Sequence, residues 1–161
     1  ADGTPRVEDG VSAGWGRTLP SARRSGAAAA IEEMVRHYDE LDPACDFRCF
    51  VDPTFPTLRG PIAITVYRVV QEALSNVVKH AQATCANVRL ECQAEELRIS
   101  ILDDGKGFDL KSLTPSGIGL VGMRERVASL GGMLLIEPRE PRGTAIRIRM
   151  PTATQGSGSP C

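Results

Sequence analysis

Aromatic residues make up only 4% of this 161-residue chain: one Trp, two Tyr and four Phe. So sparse a set leaves little for the stacking platform that single-strand nucleic-acid binders use. An excess of one charge is also missing. Nineteen Lys and Arg stand against 20 Asp and Glu, for a net charge of −1, and that balance offers no field for nucleic acid or an anionic membrane. No apolar run reaches the roughly 18–20 residues that span a bilayer, so no direct membrane contact is expected. The N-terminus opens polar and Gly-rich without a signal-peptide pattern, which points to a cytoplasmic location. The five cysteines, Cys45, Cys49, Cys85, Cys92 and Cys161, lack paired CxxC spacing. Cys45 and Cys49 have no second Cys/His pair nearby to complete a tetrahedral metal site, so reduced thiols are expected.

What is present divides by composition. Residues 1–26 carry no apolar period and are rich in Gly, Ser, Arg and Pro, which reads as a flexible arm or linker. Residues 153–161 read as a disordered tail, leaving one domain over 27–152. Within it, 27–41 is a helix by propensity and spacing, and "DFRCFV" (46–51) is a short strand. Gly60-Pro61 opens a long helix that runs on through 66–81. Residues 86–93 and 96–103 alternate with period two around a tight turn and form a hairpin. A Gly-rich loop follows from Asp104 to Gly119, then a helix over 120–130 stopped by Gly131-Gly132. "MLLIEP" and "GTAIRIRM" make a second hairpin. This order predicts an α/β two-layer sandwich, three helices packed on a mixed, mostly antiparallel sheet.

The long helix has an unusual polar side. At 100° per residue, Val66, Val69, Val70, Ala73, Leu74, Val77 and Ala81 share one arc, the core face. Glu72, Asn76 and Lys79 fall within roughly 60° of one another elsewhere, with His80 at the margin. A solvated face is the plain explanation. Yet Asn is a poor helix former, and an Asn one turn after a Glu offers oxygen ligands to a hard cation such as Mg²⁺. The lysine would suit a phosphate. "LDDGKGF" then ends a strand with Asp103-x-Gly105-x-Gly107, a carboxylate able to take an exocyclic amine beside glycines that permit close backbone approach. Alone, that could be a simple turn. "SGIGL" places Gly117-x-Gly119 before a helix, where free N–H groups and the dipole favour an anion. Gly143 and Thr144 stand at the entry to the last strand.

In this order, on these elements, the series Glu72-x3-Asn76-x2-Lys79-His80-Ala81, Asp103-x-Gly105-x-Gly107, Gly117-x-Gly119-Leu120 and Gly143-Thr144 resembles the GHKL ATPases. Within them it resembles the catalytic ATP-binding domain of two-component sensor histidine kinases. "YRVVQEALSNVVKHA", "GLVGMRERVASLGG" and the short interval between Gly107 and Gly117 are similar to the NarX/DesK-like group. The resemblance covers about 27–151 and implies a Bergerat fold, ATP and Mg²⁺ as cofactors, and phosphoryl transfer to a histidine. It implies that Asn76 coordinates Mg²⁺, that Glu72 orients groups or assists proton removal, and that Lys79 and His80 neutralise phosphate charge. Asp103 would bind the adenine amine, with Gly105 and Gly107 beside the base and Thr144 behind it through water. Gly117, Gly119 and Leu120 would form the lid hinge and phosphate contacts.

The family's acceptor histidine is followed directly by an acid. His37 is followed by Tyr38, and His80 belongs to the nucleotide motif, so neither fits. The partners implied are therefore the phosphoacceptor/dimerisation helices of a parent kinase and, downstream, a response regulator. An anti-sigma-factor-like Ser/Thr kinase and a nucleotide-dependent binding module without kinase activity are the alternatives. Gyrase, MutL and chaperone ATPases need longer lids and further domains.

Overall fold

The computed structural model describes residues 26–107 and 118–152. The expected tail at 153–161 and all but the last residue of the expected arm at 1–26 lie outside the described residues. The elements are α1 (Gly26–Leu41), β1 (Asp46–Val51), α2 (Gly60–Asn76), a five-residue π-helical turn (Val77–Ala81), β2 (Cys85–Gln93), β3 (Glu96–Asp103), α3 (Ile118–Ser129), β4 (Met133–Pro138) and β5 (Thr144–Pro151). The sheet runs β1-β2-β3-β5-β4. β1 lies parallel to β2, reached through α2; β2–β3 and β4–β5 are antiparallel hairpins, and β5 returns past α3 and β4 to pair antiparallel with β3. Three helices on one face of a mixed, mostly antiparallel sheet is the predicted architecture. Among the described residues no helix is long and apolar enough to cross a membrane.

The core lies between helices and sheet. Leu90, Leu97, Ile99, Ile101, Ile148 and Met150 point from alternate strand positions onto the helices and are almost wholly buried, as period two requires. The opposite sheet face is charged. There Arg98 and Arg149 stand directly across from one another, and Glu96 accepts hydrogen bonds from both. β2 and β3 join through Ala94 and Glu95, both at positive φ (53° and 62°), the backbone of a two-residue turn that suits strand twist.

In α2 the predicted arc is buried: Val66, Val69, Val70, Ala73, Leu74, Val77 and Ala81 are each at most 5% exposed. The winding differs from expectation. Regular α geometry stops at Asn76, and residues 77–81 take the wider π turn before Gln82 ends it in the left-handed region. Val77 and Ala81 both stay buried, while Val78 between them is 42% exposed. A π turn accommodates one surplus residue without surrendering either anchor. At the end of α3 the Gly132 N–H donates to Val127 O at 2.9 Å, the closing bond of a Schellman motif.

Among the described residues Cys45, Cys85 and Cys92 are free thiols. Burial pushes the Cys45 thiol up to about 12, which keeps it an inert core group.

Candidate functional site

The site grows from the end of β3. Asp103, its last residue, is 4% exposed and lies between Ala86 of β2 and Thr144 of β5, itself buried. Its Oδ1 accepts the Gly105 N–H at 2.8 Å. Burial pushes the Asp103 carboxyl above its ordinary value, against the N–H groups of Gly105 and Thr144 and the Arg139 charge, all of which favour ionisation. A buried carboxylate held by backbone donors at a strand end is a group prepared for a ligand donor.

The following turn is locked to the end of the π turn. A Cβ at Gly105 would stand 2.3 Å from Ala81 O, so only glycine permits this approach. The Lys106 N–H donates to Ala81 O at 2.7 Å. The expected phosphate-side residues Lys79 and His80 sit within two residues of Ala81, with both side chains exposed. Gly107, at φ +82°, passes beside Gly143 O and the Thr144 hydroxyl. Asp103, Gly105, Gly107, Gly143 and Thr144 thus form one cluster.

A second contact joins α2 to α3. Gly119 falls inside the first turn of α3 instead of ahead of it, since the helix begins at Ile118. A Cβ on Gly119 would lie 2.2 Å from Glu72 Oε2. The Glu72 carboxylate therefore rests against the backbone of the α3 N-terminal turn. Asn76, one turn further along α2, is half-buried. Gly117 lies outside the described residues. Leu120 belongs to α3, with its side chain likewise outside them. Among the described residues no cluster of three or more His, Cys, Asp or Glu could hold a metal ion. The oxygens of Asn76 and Glu72 fit Mg²⁺ only as a partial shell, completed by phosphates and water, which is the usual manner of Mg²⁺ at phosphate sites.

Three further side chains shape the cluster, and the motif reading missed them. Asp104 accepts hydrogen bonds from Thr84 N–H at 2.8 Å, Thr84 Oγ1 at 2.6 Å and Cys85 N–H at 3.0 Å. Partial burial pushes the Asp104 carboxyl up, but these donors outweigh it and leave it below its ordinary value. Arg139 Nη1 donates to Asp103 O at 2.9 Å, and Arg142 Nε to Gly105 O at 3.0 Å. The doubled Asp in "LDDG" was a signal for Asp104. No spacing rule pointed to the arginines.

This fold is shared with solved histidine kinase structures. The ATP-binding domain of PrrB from Mycobacterium tuberculosis matches with TM-score 0.62 and 20% identity, over 80% of this chain and 96% of that one. The histidine kinase domain of the Erythrobacter litoralis EL346 blue-light activated kinase matches with TM-score 0.68 and 22% identity, over 82% and 68%. Residues 62–154, more than half of the chain, match the family described as histidine kinase-, DNA gyrase B-, and HSP90-like ATPase. The chain belongs to that family. In sequence it is 43% identical over 94 residues to the histidine-protein kinase/phosphatase DegS of Brevibacillus brevis, covering 58% of this chain and 24% of DegS. It is 37% identical over 93 residues to the sensor histidine kinase LiaS of Bacillus subtilis, covering 58% and 26%. It is 36% identical over 132 residues to the sensor histidine kinase MctS of Rhizobium johnstonii, covering 78% and 28%. The chain spans about a quarter of the length of these relatives. These relatives are sensor histidine kinases, and that likeness favours a sensor-kinase ATP-binding domain over a Ser/Thr kinase.

Proposed function

We propose that this domain binds MgATP and transfers the γ-phosphoryl group to a histidine on the phosphoacceptor/dimerisation helices of a parent kinase, for onward passage to a response regulator. The observation that carries the reading is Asp103: a buried carboxylate at a strand end, beside a glycine turn packed closely against Ala81 and Gly143. Its acceptor oxygens suit an exocyclic amine such as the 6-amino group of adenine. Thr144, buried behind it, supplies a hydroxyl for a bridging water. Asn76 offers Mg²⁺ an amide oxygen, and Lys79 and His80 stand exposed to meet phosphate charge. Gly117, Gly119 and Leu120 belong to the lid and the phosphate-facing turn.

In the transfer the acceptor imidazole nitrogen forms a bond to the γ-phosphorus as the bond to the β–γ bridging oxygen breaks, and ADP departs. Glu72 orients the imidazole or takes its proton. Positioning and charge neutralisation supply most of the rate in such transfers. The domain works in the cytoplasm, whether or not its parent is anchored in a membrane.

Incubated alone with radiolabelled ATP, the chain is expected to gain no acid-labile, base-stable phosphate, since neither His37 nor His80 has the acceptor pattern. Given the parent's helices in trans it labels them, slowly, because separation forfeits the roughly millimolar effective concentration of a tether. Asn76→Ala leaves the helices unlabelled. Phosphate on His37 of the isolated chain would overturn the reading.

A further inference from the structure

The turn between β4 and β5 reaches back to the strand end that carries Asp103. Arg139 Nη1 donates to the Asp103 carbonyl at 2.9 Å, and the Arg139 backbone N–H donates to Gly143 O at 3.0 Å. Gly143 walls the same carbonyl on another side, where a Cβ would stand 2.0 Å away. Arg139 is thus tied down at backbone and side chain and is half-buried, unlike the exposed Arg98, Arg147 and Arg149 of the open sheet face. Arg142, three residues on, is exposed and bonds to Gly105 O instead.

We propose that Arg139 is a positioning residue for the adenine contact, fixing the strand end that bears Asp103 and setting the charge of its carboxylate. The proposal rests on Asp103 being the acceptor of the adenine amine. An ionised carboxylate is acceptor-only, whereas a protonated one presents an O–H that conflicts with a donor amine. Among the described residues two charged groups act on Asp103: Arg139 favours ionisation, and Asp104, next along the same loop, opposes it. Its cross-strand neighbours Ala86 and Thr144 carry no titrating group. Loss of the Arg139 charge leaves burial and Asp104 unopposed except by backbone N–H groups, so protonation sets in at higher pH.

The test is calorimetry of ADP binding to the chain at two pH values. In Arg139→Gln the loss of affinity between about pH 8 and about pH 5.5 exceeds the parent's by about threefold or more, because each unit of pKa change corresponds to a tenfold change in the protonation equilibrium. The nucleotide's own phosphate titration is common to every variant and cancels in the comparison. Arg139→Lys keeps the charge and restores the parent's pH profile, even where its overall affinity is weaker. Arg142→Gln, in the same turn, shows the parent's loss. A purely structural role for Arg139 would weaken binding equally at both pH values. That uniform result would overturn the proposal, as would an equal steepening in Arg142→Gln. Asp103→Asn separates the two layers of inference. If its ADP affinity matches the parent's at both pH values, the adenine assignment itself fails. If it binds weakly and adding Arg139→Gln changes the pH profile no further, both stand. If it binds weakly yet Arg139→Gln still steepens the profile, Arg139 acts elsewhere and the proposal falls.

Discussion

Strand β3 carries a carboxylate at each end, Glu96 first and Asp103 last, in opposite circumstances. Glu96 faces solvent and accepts hydrogen bonds from Arg149 and Arg98, which hold it below its ordinary value. Asp103 is buried, and burial leaves it above its ordinary value. By a count of partner side chains Glu96 looks the more important, with two arginines. Surface pairs of that kind contribute little, since water screens them. A buried carboxylate penalised by desolvation persists where something other than folding requires it. The cost of a charge, more than its number of partners, marks Asp103 as the candidate site.

A third carboxylate, placed by design, gives the sharpest test of that comparison. Val70 is 0% exposed under the same sheet, among apolar neighbours whose helix N–H groups are already engaged. Val70→Asp buries a charge with no donors, and a loss of about 4 kcal/mol or more is expected, enough to abolish cooperative melting followed by circular dichroism. Asn76→Ala, off that arc, should cost no more than about 1 kcal/mol of stability. Equal losses would return Asn76 to a structural role.

The next largest effect is on binding. Asp103→Ala removes a charged acceptor, and ADP affinity by calorimetry should fall by about 1.5–3 kcal/mol. Glu96→Ala should leave it unchanged. If the two variants bind alike, β3 has no functional end.

The smallest effect is the most discriminating, because the two carboxylates should give opposite pH slopes. Asp103 has a folded-state value raised above 3.8. Its contribution to stability is therefore full below 3.8 and is lost as pH rises through the folded-state value. Ligand-free parent should gain on Asp103→Asn as the pH of melting is lowered across that window. Glu96 has a folded-state value below 4.5, so its small contribution is present above 4.5 and lost as pH falls. Parent should lose ground to Glu96→Gln over the same titration. Slopes of the same sign would mean that burial does not separate the two groups.

Most of the scaffold was legible because its signals are local and repeated. The alternation over 86–103 and the apolar arc of α2 each place many side chains on one face, and one error among them changes nothing. Asp103, Gly105, Gly107 and Thr144 were legible as a motif in order, and they do meet. The π turn was not, because periodicity at 100° per residue gives Val77 and Ala81 the same burial under either winding. Gly119 was placed before α3 instead of within it, since glycine is a weak helix former and the contact that requires it, with Glu72, is 47 positions distant in the sequence. Arg139 and Arg142 were invisible for a related reason. They bind main-chain carbonyls, a target that every residue offers and no pattern records.

The π turn has a consequence for how this segment can vary. α2 and its extension hold one residue more than regular winding needs between Asn76 and Ala81. Deleting Val78, the exposed member, would let the helix run on as regular α winding and swing Lys79 and His80 around the axis. Chain length here is therefore a functional variable separate from composition. Two proteins could share every residue type of the motif and still present their basic groups in different directions. A comparison of this helix among relatives should look for gaps before it looks for substitutions.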